Sequence, residues 1–209
     1  MFYPGRVELR TKSAAQAALA PIKIFALGSD FVEGVANLCN FRLPLARNLT
    51  ALGWNVKMTG WHRSYWYSTI GCHTADSVHW NHHGGVKDLA LMTSETRAGV
   101  LEGLESYCMT AEDPEFTIFV CGDMDLKDGV SNEKVLAAYK EAVTRIKAAL
   151  PMTTVIASSI PGGSTSLNSD IATWCASEAD VEYVDLASIY GVNGTISPEN
   201  CEAAATALT

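Results

Sequence analysis

Histidine is absent from residues 84–209; the five in the chain, His62, His73, His79, His82 and His83, all come earlier. Any chemistry that needs an imidazole, as general base or as metal ligand, must draw it from residues 62–83. No apolar run reaches the length of a bilayer-spanning helix, so the domain is expected to be soluble with no transmembrane segment. The cysteines Cys39, Cys72, Cys108, Cys121, Cys175 and Cys201 contain no C-x-x-C pair, which argues against a zinc knuckle or a dithiol redox site. No block of Lys and Arg offsets the net charge of -8, and the resulting field repels phosphate backbones and anionic headgroups. Nucleic acid is therefore not an expected partner. Gly162-Gly163 lacks the Lys-Ser/Thr that a phosphate loop requires, and reads as a plain turn.

With 209 residues, of which 48% are apolar and 18% charged, the chain is long enough for one well-buried core and short for two. We expect an N-terminal arm over residues 1–21 and one globular domain over residues 22–209. The first twenty residues contain Arg, Lys, Ser and Ala but lack the apolar centre of a secretory signal, and Glu8 argues against organelle targeting. The compartment stays open between an organelle and secretion with a leader already removed. An even cysteine count permits disulfides without demanding them, and the sequons at Asn48 and Asn193 matter only in a secretory compartment.

Hydrophobic periodicity alternates between short β-rich runs and longer helical ones. Strands are expected at Ile22 to Leu27, Trp54 to Met58, Phe116 to Cys121, Thr153 to Ser159 and Val181 to Asp185. Helices are expected on the face carrying Phe41, Leu45, Leu49 and Leu52, over Val86 to Cys108, from a Ser131 cap to Pro151, around Leu167 to Ser177, and from Pro198 onward. The class is α/β: a three-layer α/β/α sandwich on a five-stranded parallel sheet, flavodoxin-like. In such folds ligands sit outside the carboxyl ends of the strands.

The loops at those ends carry a family likeness. IFALGSDFVEG (residues 24–34), FRLPLARNLTALGWNVKMTG (41–60), HHGGVKDL (82–89), FVCGDMDL (119–126) and NGTISPEN (193–200) follow one another in the order of a known set of blocks. The chain resembles the SGNH (GDSL-type) hydrolases, and within them the acetylxylan-esterase-like carbohydrate esterases. The resemblance implies a serine esterase framework whose catalytic set is degenerate. Asp30 stands at the nucleophile position, Met124 at that of the asparagine donating to the oxyanion, Asn193 at that of the orienting aspartate and Ile196 at that of the base histidine. Gly85, the backbone donor to the oxyanion, is retained, with Gly28, Gly122 and Asp125 as structural residues. A carboxylate at position 30 repels a developing oxyanion, methionine has no donor and isoleucine accepts no proton.

Three readings of function follow. The first is a non-catalytic protein, a pseudoenzyme kept as a binding or assembly subunit of a larger complex, with a protein partner. The second is an esterase with a displaced nucleophile, Ser29, supported by His82 or His83 and Gly85. It requires a rebuilt turn, because successive residues at a strand end point to opposite sides. The third is a sugar-binding protein using the aromatic stretch 61–85, with Trp61, Trp66, Trp80 and His79 as the candidate surface; the competing structural reading is a loop folded into a satellite core. His73, Asp76, His79 and His83 have the spacing of ligands on a helical turn, and zinc suits such a set, but Gly71 and Gly84-Gly85 interrupt a regular helix. No cofactor or metal is expected. Asp123-Met124-Asp125 looks like a paired-carboxylate motif, yet Lys127 occupies the place where a Thr or Val belongs, and Asp125 is expected to bond loop amides instead.

Overall fold

The computed structural model describes residues 20–34, 40–63, 82–191 and 193–209. Its strands are β1 (Ile22–Gly28), β2 (Val56–Thr59), β3 (His62–Arg63), β4 (His82–Gly85), β5 (Phe116–Val120), β6 (Thr154–Ser158) and β7 (Val181–Val184). Its helices are α1 (Asp30–Glu33), α2 (Arg42–Ala51), α3 (Val100–Met109), α4 (Asp123–Lys127), α5 (Asn132–Ala149), α6 (Thr165–Cys175), α7 (Ala187–Tyr190) and α8 (Pro198–Ala207).

The five expected strands form a parallel sheet in the order β2-β1-β5-β6-β7, with Ile24 opposite Met58 on one side and Phe116 on the other. Because β1 lies between strands reached in opposite directions along the sheet, the carboxyl ends of β1 and β5 border a topological switch point. The chain there reads Gly28-Ser29-Asp30 and Gly122-Asp123-Met124.

Both faces of the sheet are covered, so the middles of its central strands are apolar on both sides. Phe25, Leu27, Phe119, Val155 and Ala157 pack beneath Leu104 of α3, Tyr139 and Ile146 of α5 and Ile171 of α6. The alternate residues Ile24, Ala26, Ile118 and Val120 pack against Leu45 and Leu49 of α2 and Cys201 and Ala204 of α8. Each large apolar side chain fully buried in these layers contributes roughly 1.5–3 kcal/mol of transfer free energy. This is the expected three-layer sandwich.

Two elements differ from expectation. The histidine and glycine run HHGG, read as part of a loop, forms β4, which continues the line of β2 and pairs parallel to β1 at Leu27↔Gly84 and Gly28↔Gly85. β3 adds to it antiparallel. The glycines are required by close approach: a Cβ on Gly84 would lie 2.7 Å from the Phe25 ring, and one on Gly85 2.5 Å from the Glu33 nitrogen. The second difference concerns Val86 to Cys108, expected to be mostly helical. Helix α3 begins only at Val100. The reason lies in Asp125, whose buried carboxylate accepts the amides of Leu91 at 2.6 Å and Met92 at 3.1 Å, while Asp88 takes φ 57°. Those amides are held outside any helical ladder. The expectation that Asp125 bonds loop amides is met by the same contacts. Ser131 occupies the N-cap of α5 with extended backbone, but its side chain makes no bond to the helix amides.

Candidate functional site

At the end of β1, Gly28 runs so close to β5 that a Cβ would lie 1.8 Å from Val120 O. Ser29 then donates its amide to Val120 O at 3.1 Å and starts α1 by accepting from the Val32 and Glu33 amides. Its side chain does not cap the helix. It turns toward α4, and Ser29 Oγ donates to Asp123 Oδ1 at 2.6 Å. Both residues are inside the protein, at 0% and 3% exposure. One turn along α4, Lys127 Nζ donates to Asp123 Oδ2 at 3.2 Å and lies 3.7 Å from Met124 Sδ. Burial pushes the Asp123 carboxyl above its ordinary value, and the Ser29 bond and Lys127 pull it back.

Asp30, the first residue of α1, is engaged elsewhere. Its Oδ1 accepts the Asp88 amide at 2.9 Å, beyond β4. Between these loops lies Arg42, on α2, at 1% exposure. Its Nε donates to Val32 O at 2.8 Å, Nη2 to Glu33 O at 3.3 Å and Nη1 to His82 O at 3.5 Å. One guanidinium thus ties the end of α1 to β4. Burial raises the Glu33 carboxyl, Asp30 adds to the shift and Arg42 opposes it. Sequence reasoning missed Arg42, because nothing in the helical pattern distinguishes an inward-facing Arg42 from the exposed Arg47 of the same helix.

The two histidines of β4 are engaged with backbone. His82 Nδ1 lies 3.0 Å from Gly60 O, a contact that requires the Nδ1–H tautomer. His83, 2% exposed, accepts the Gly85 amide on its Nδ1 at 3.0 Å. Burial, with the Arg42 charge next, drives the His83 imidazole far below its ordinary pKa, so the ring is neutral. The Ser29 hydroxyl therefore faces a carboxylate, and the amide of Gly85 faces an imidazole of its own strand.

Of the other positions singled out by the resemblance, Met124 is buried in α4, Asn193 is exposed on a turn, and Ile196 is partly buried against the layer that holds Phe31 and Tyr190. Those two rings meet at 4.8 Å between centroids, and a Cβ on Gly194 would lie 3.1 Å from the Phe31 ring. Aromatic packing fills the space beneath the last loop. Trp61 stacks on Tyr107 at 4.5 Å and 14° and packs against the core, so one of its faces is already used. Trp66, Trp80, His79, His73 and Asp76 lie outside the described residues.

No protein-family model and no curated protein matches the sequence. Solved structures do match in fold. A family 3 carbohydrate esterase from Clostridium thermocellum is similar at 17% identity and TM-score 0.69, over 90% of this chain and 94% of that one. A family 3 carbohydrate esterase from Talaromyces cellulolyticus is similar at 16% identity and TM-score 0.70, over 90% and 94%. A G-D-S-L family lipolytic protein from Desulfitobacterium hafniense DCB-2 is similar at 13% identity and TM-score 0.56, over 90% and 97%. At these identities the likeness is one of fold: the chain has an SGNH/GDSL hydrolase-like fold along nearly its whole described length.

Proposed function

We propose that this SGNH-hydrolase-like chain is non-catalytic and acts by binding, as an assembly subunit of a larger complex. The observation that carries the reading is the bond from Ser29 Oγ to Asp123 Oδ1. Acyl transfer needs a hydroxyl that can reach a carbonyl carbon while a base takes its proton. Ser29 is fully buried, and its proton is directed at a carboxylate, a far weaker base toward a hydroxyl than imidazole. Asp30, at the nucleophile position of the resemblance, brings a negative charge to the place where an oxyanion would form. Residues 84–209 offer no imidazole to either group.

The likeness in fold to family 3 carbohydrate esterases supports a second reading, an esterase using Ser29. One experiment separates the two. Purified protein is incubated with p-nitrophenyl acetate and with a fluorophosphonate probe, alongside Ser29→Ala and Asp30→Ala variants. The non-catalytic reading expects neither hydrolysis above the buffer rate nor labelling. Labelling lost in Ser29→Ala and kept in Asp30→Ala would establish the esterase.

A further inference from the structure

We infer that His83 is an internal plug for the Gly85 amide: its Nδ1 occupies the donor that an anionic oxygen would otherwise use at the end of β4. The inference rests on the proposed reading of this position as that of a lost oxyanion site. It adds a separate obstacle, since restoring the missing side chains would leave this donor taken.

The geometry makes the plug hard to displace. β4 is aligned with the end of β1, Gly28 opposite Gly85, so the amide lies at the carboxyl end of the sheet beside β1. Gly85 has no room for a side chain, and a Cβ there would lie 2.9 Å from His83 Nδ1. Behind His83 runs Gly60, where a Cβ would fall 2.3 Å from the His83 carbonyl carbon, so the backbone cannot retreat. The His62 ring of β3 lies over the His83 ring at 5.6 Å and 22°. Among the described residues, the charged and titratable groups around the ring are Arg42 from α2, His62 from β3 and His82 from β4 itself. All three disfavour an imidazolium. Protonation of Nδ1 would turn the acceptor into a donor and eject the Gly85 amide, but this environment opposes it, and the plug stays in place on mild acidification.

An N–H···N hydrogen bond transmits a scalar coupling between its two nitrogens, so the contact can be measured directly in the ¹⁵N-labelled full chain. The expected result is a resolved coupling between the Gly85 amide nitrogen and His83 Nδ1, with the ring nitrogens unchanged from about pH 8 to about pH 5, a range in which an ordinary histidine titrates. Absence of the coupling, or protonation of His83 in that range, overturns the plug. In His83→Ala the Gly85 amide should exchange with deuterium at least about tenfold faster than in wild type, with His83→Gln intermediate. Unchanged Gly85 exchange in both variants also overturns it. Loss of the coupling leaves the non-catalytic reading standing, whereas ester hydrolysis by wild-type protein with the coupling intact refutes that reading alone.

Discussion

Replacing Ser29 with alanine deletes one oxygen and leaves the backbone bonds of the residue, its amide to Val120 O and the Val32 amide to its carbonyl. What disappears is the 2.6 Å bond to Asp123 Oδ1. A hydrogen bond to an ionised group contributes roughly 1.5–3 kcal/mol, and here the carboxylate left behind is buried. Ser29→Ala should therefore lose about 2 kcal/mol at neutral pH. Asp123→Asn differs, since the amide oxygen still accepts from Ser29 while the buried charge is gone. It gives up the contact with Lys127, whose side chain is 57% exposed, and such a pair is worth at most about 1 kcal/mol. The asparagine variant should thus fall within about 1 kcal/mol of wild type. The pH dependence has a definite sign. The Ser29 bond favours the carboxylate form, so its loss costs most above the folded pKa of Asp123 and less as pH falls through it. Burial raises that folded pKa, so the charged form works against folding above it, and the relative standing of Asp123→Asn improves as pH rises. Urea unfolding followed by circular dichroism at several pH values measures both trends. A Ser29→Ala cost below about 0.5 kcal/mol, or Asp123→Asn less stable than Ser29→Ala at neutral pH, would refute the reasoning.

Gly28→Ala must separate β1 from β5, because the new Cβ would meet Val120 O at 1.8 Å; we expect a loss above about 4 kcal/mol or no soluble protein. Gly129→Ala is the control, since that position has φ 78° with nothing within 4 Å of a new Cβ, and only the backbone strain of about 1 kcal/mol applies. Equal Tm values for the two variants in thermal unfolding would contradict the packing argument. Burial pushes the thiols of Cys108 to about 12 and of Cys175 and Cys201 to about 11, and raises Cys121 well above its usual value. All four are buried thiols, so a thiol reagent followed by mass mapping should leave them unmodified in native protein and react with all of them in denaturant. Native labelling of Cys121 would show that the core opens there.

Much of the architecture was legible in the chain because burial on both faces leaves a plain record. FTIFV and IKIFALG are apolar runs broken only by Thr117 and Lys23, and α5 repeats Val135, Ala138, Ala142 and Ile146 at helical spacing. Asp125 was also legible, as a short polar residue after a strand whose natural partners are loop amides. HHGG was not, since strand propensity is carried by side chains that two glycines lack, and its pairing depends on how closely β1 and Glu33 approach. The stretch 86–99 was misread because its apolar residues have helical spacing, while the carboxylate that overrides the helix arrives from a residue more than thirty positions away.

The sequence by itself determined the alternation of strands and helices and the confinement of every histidine to residues 62–83. Those are matters of composition and local period. Tertiary structure alone decided where the surviving polar groups spend their hydrogen bonds. Ser29 meets Asp123 across 94 residues because the sheet order sets β1 beside β5, and Arg42 is held inside because the end of α1 and β4 present carbonyls that accept from its guanidinium. A buried polar group must find a partner, but which one it finds depends on register and strand order, and neither is written in local pattern.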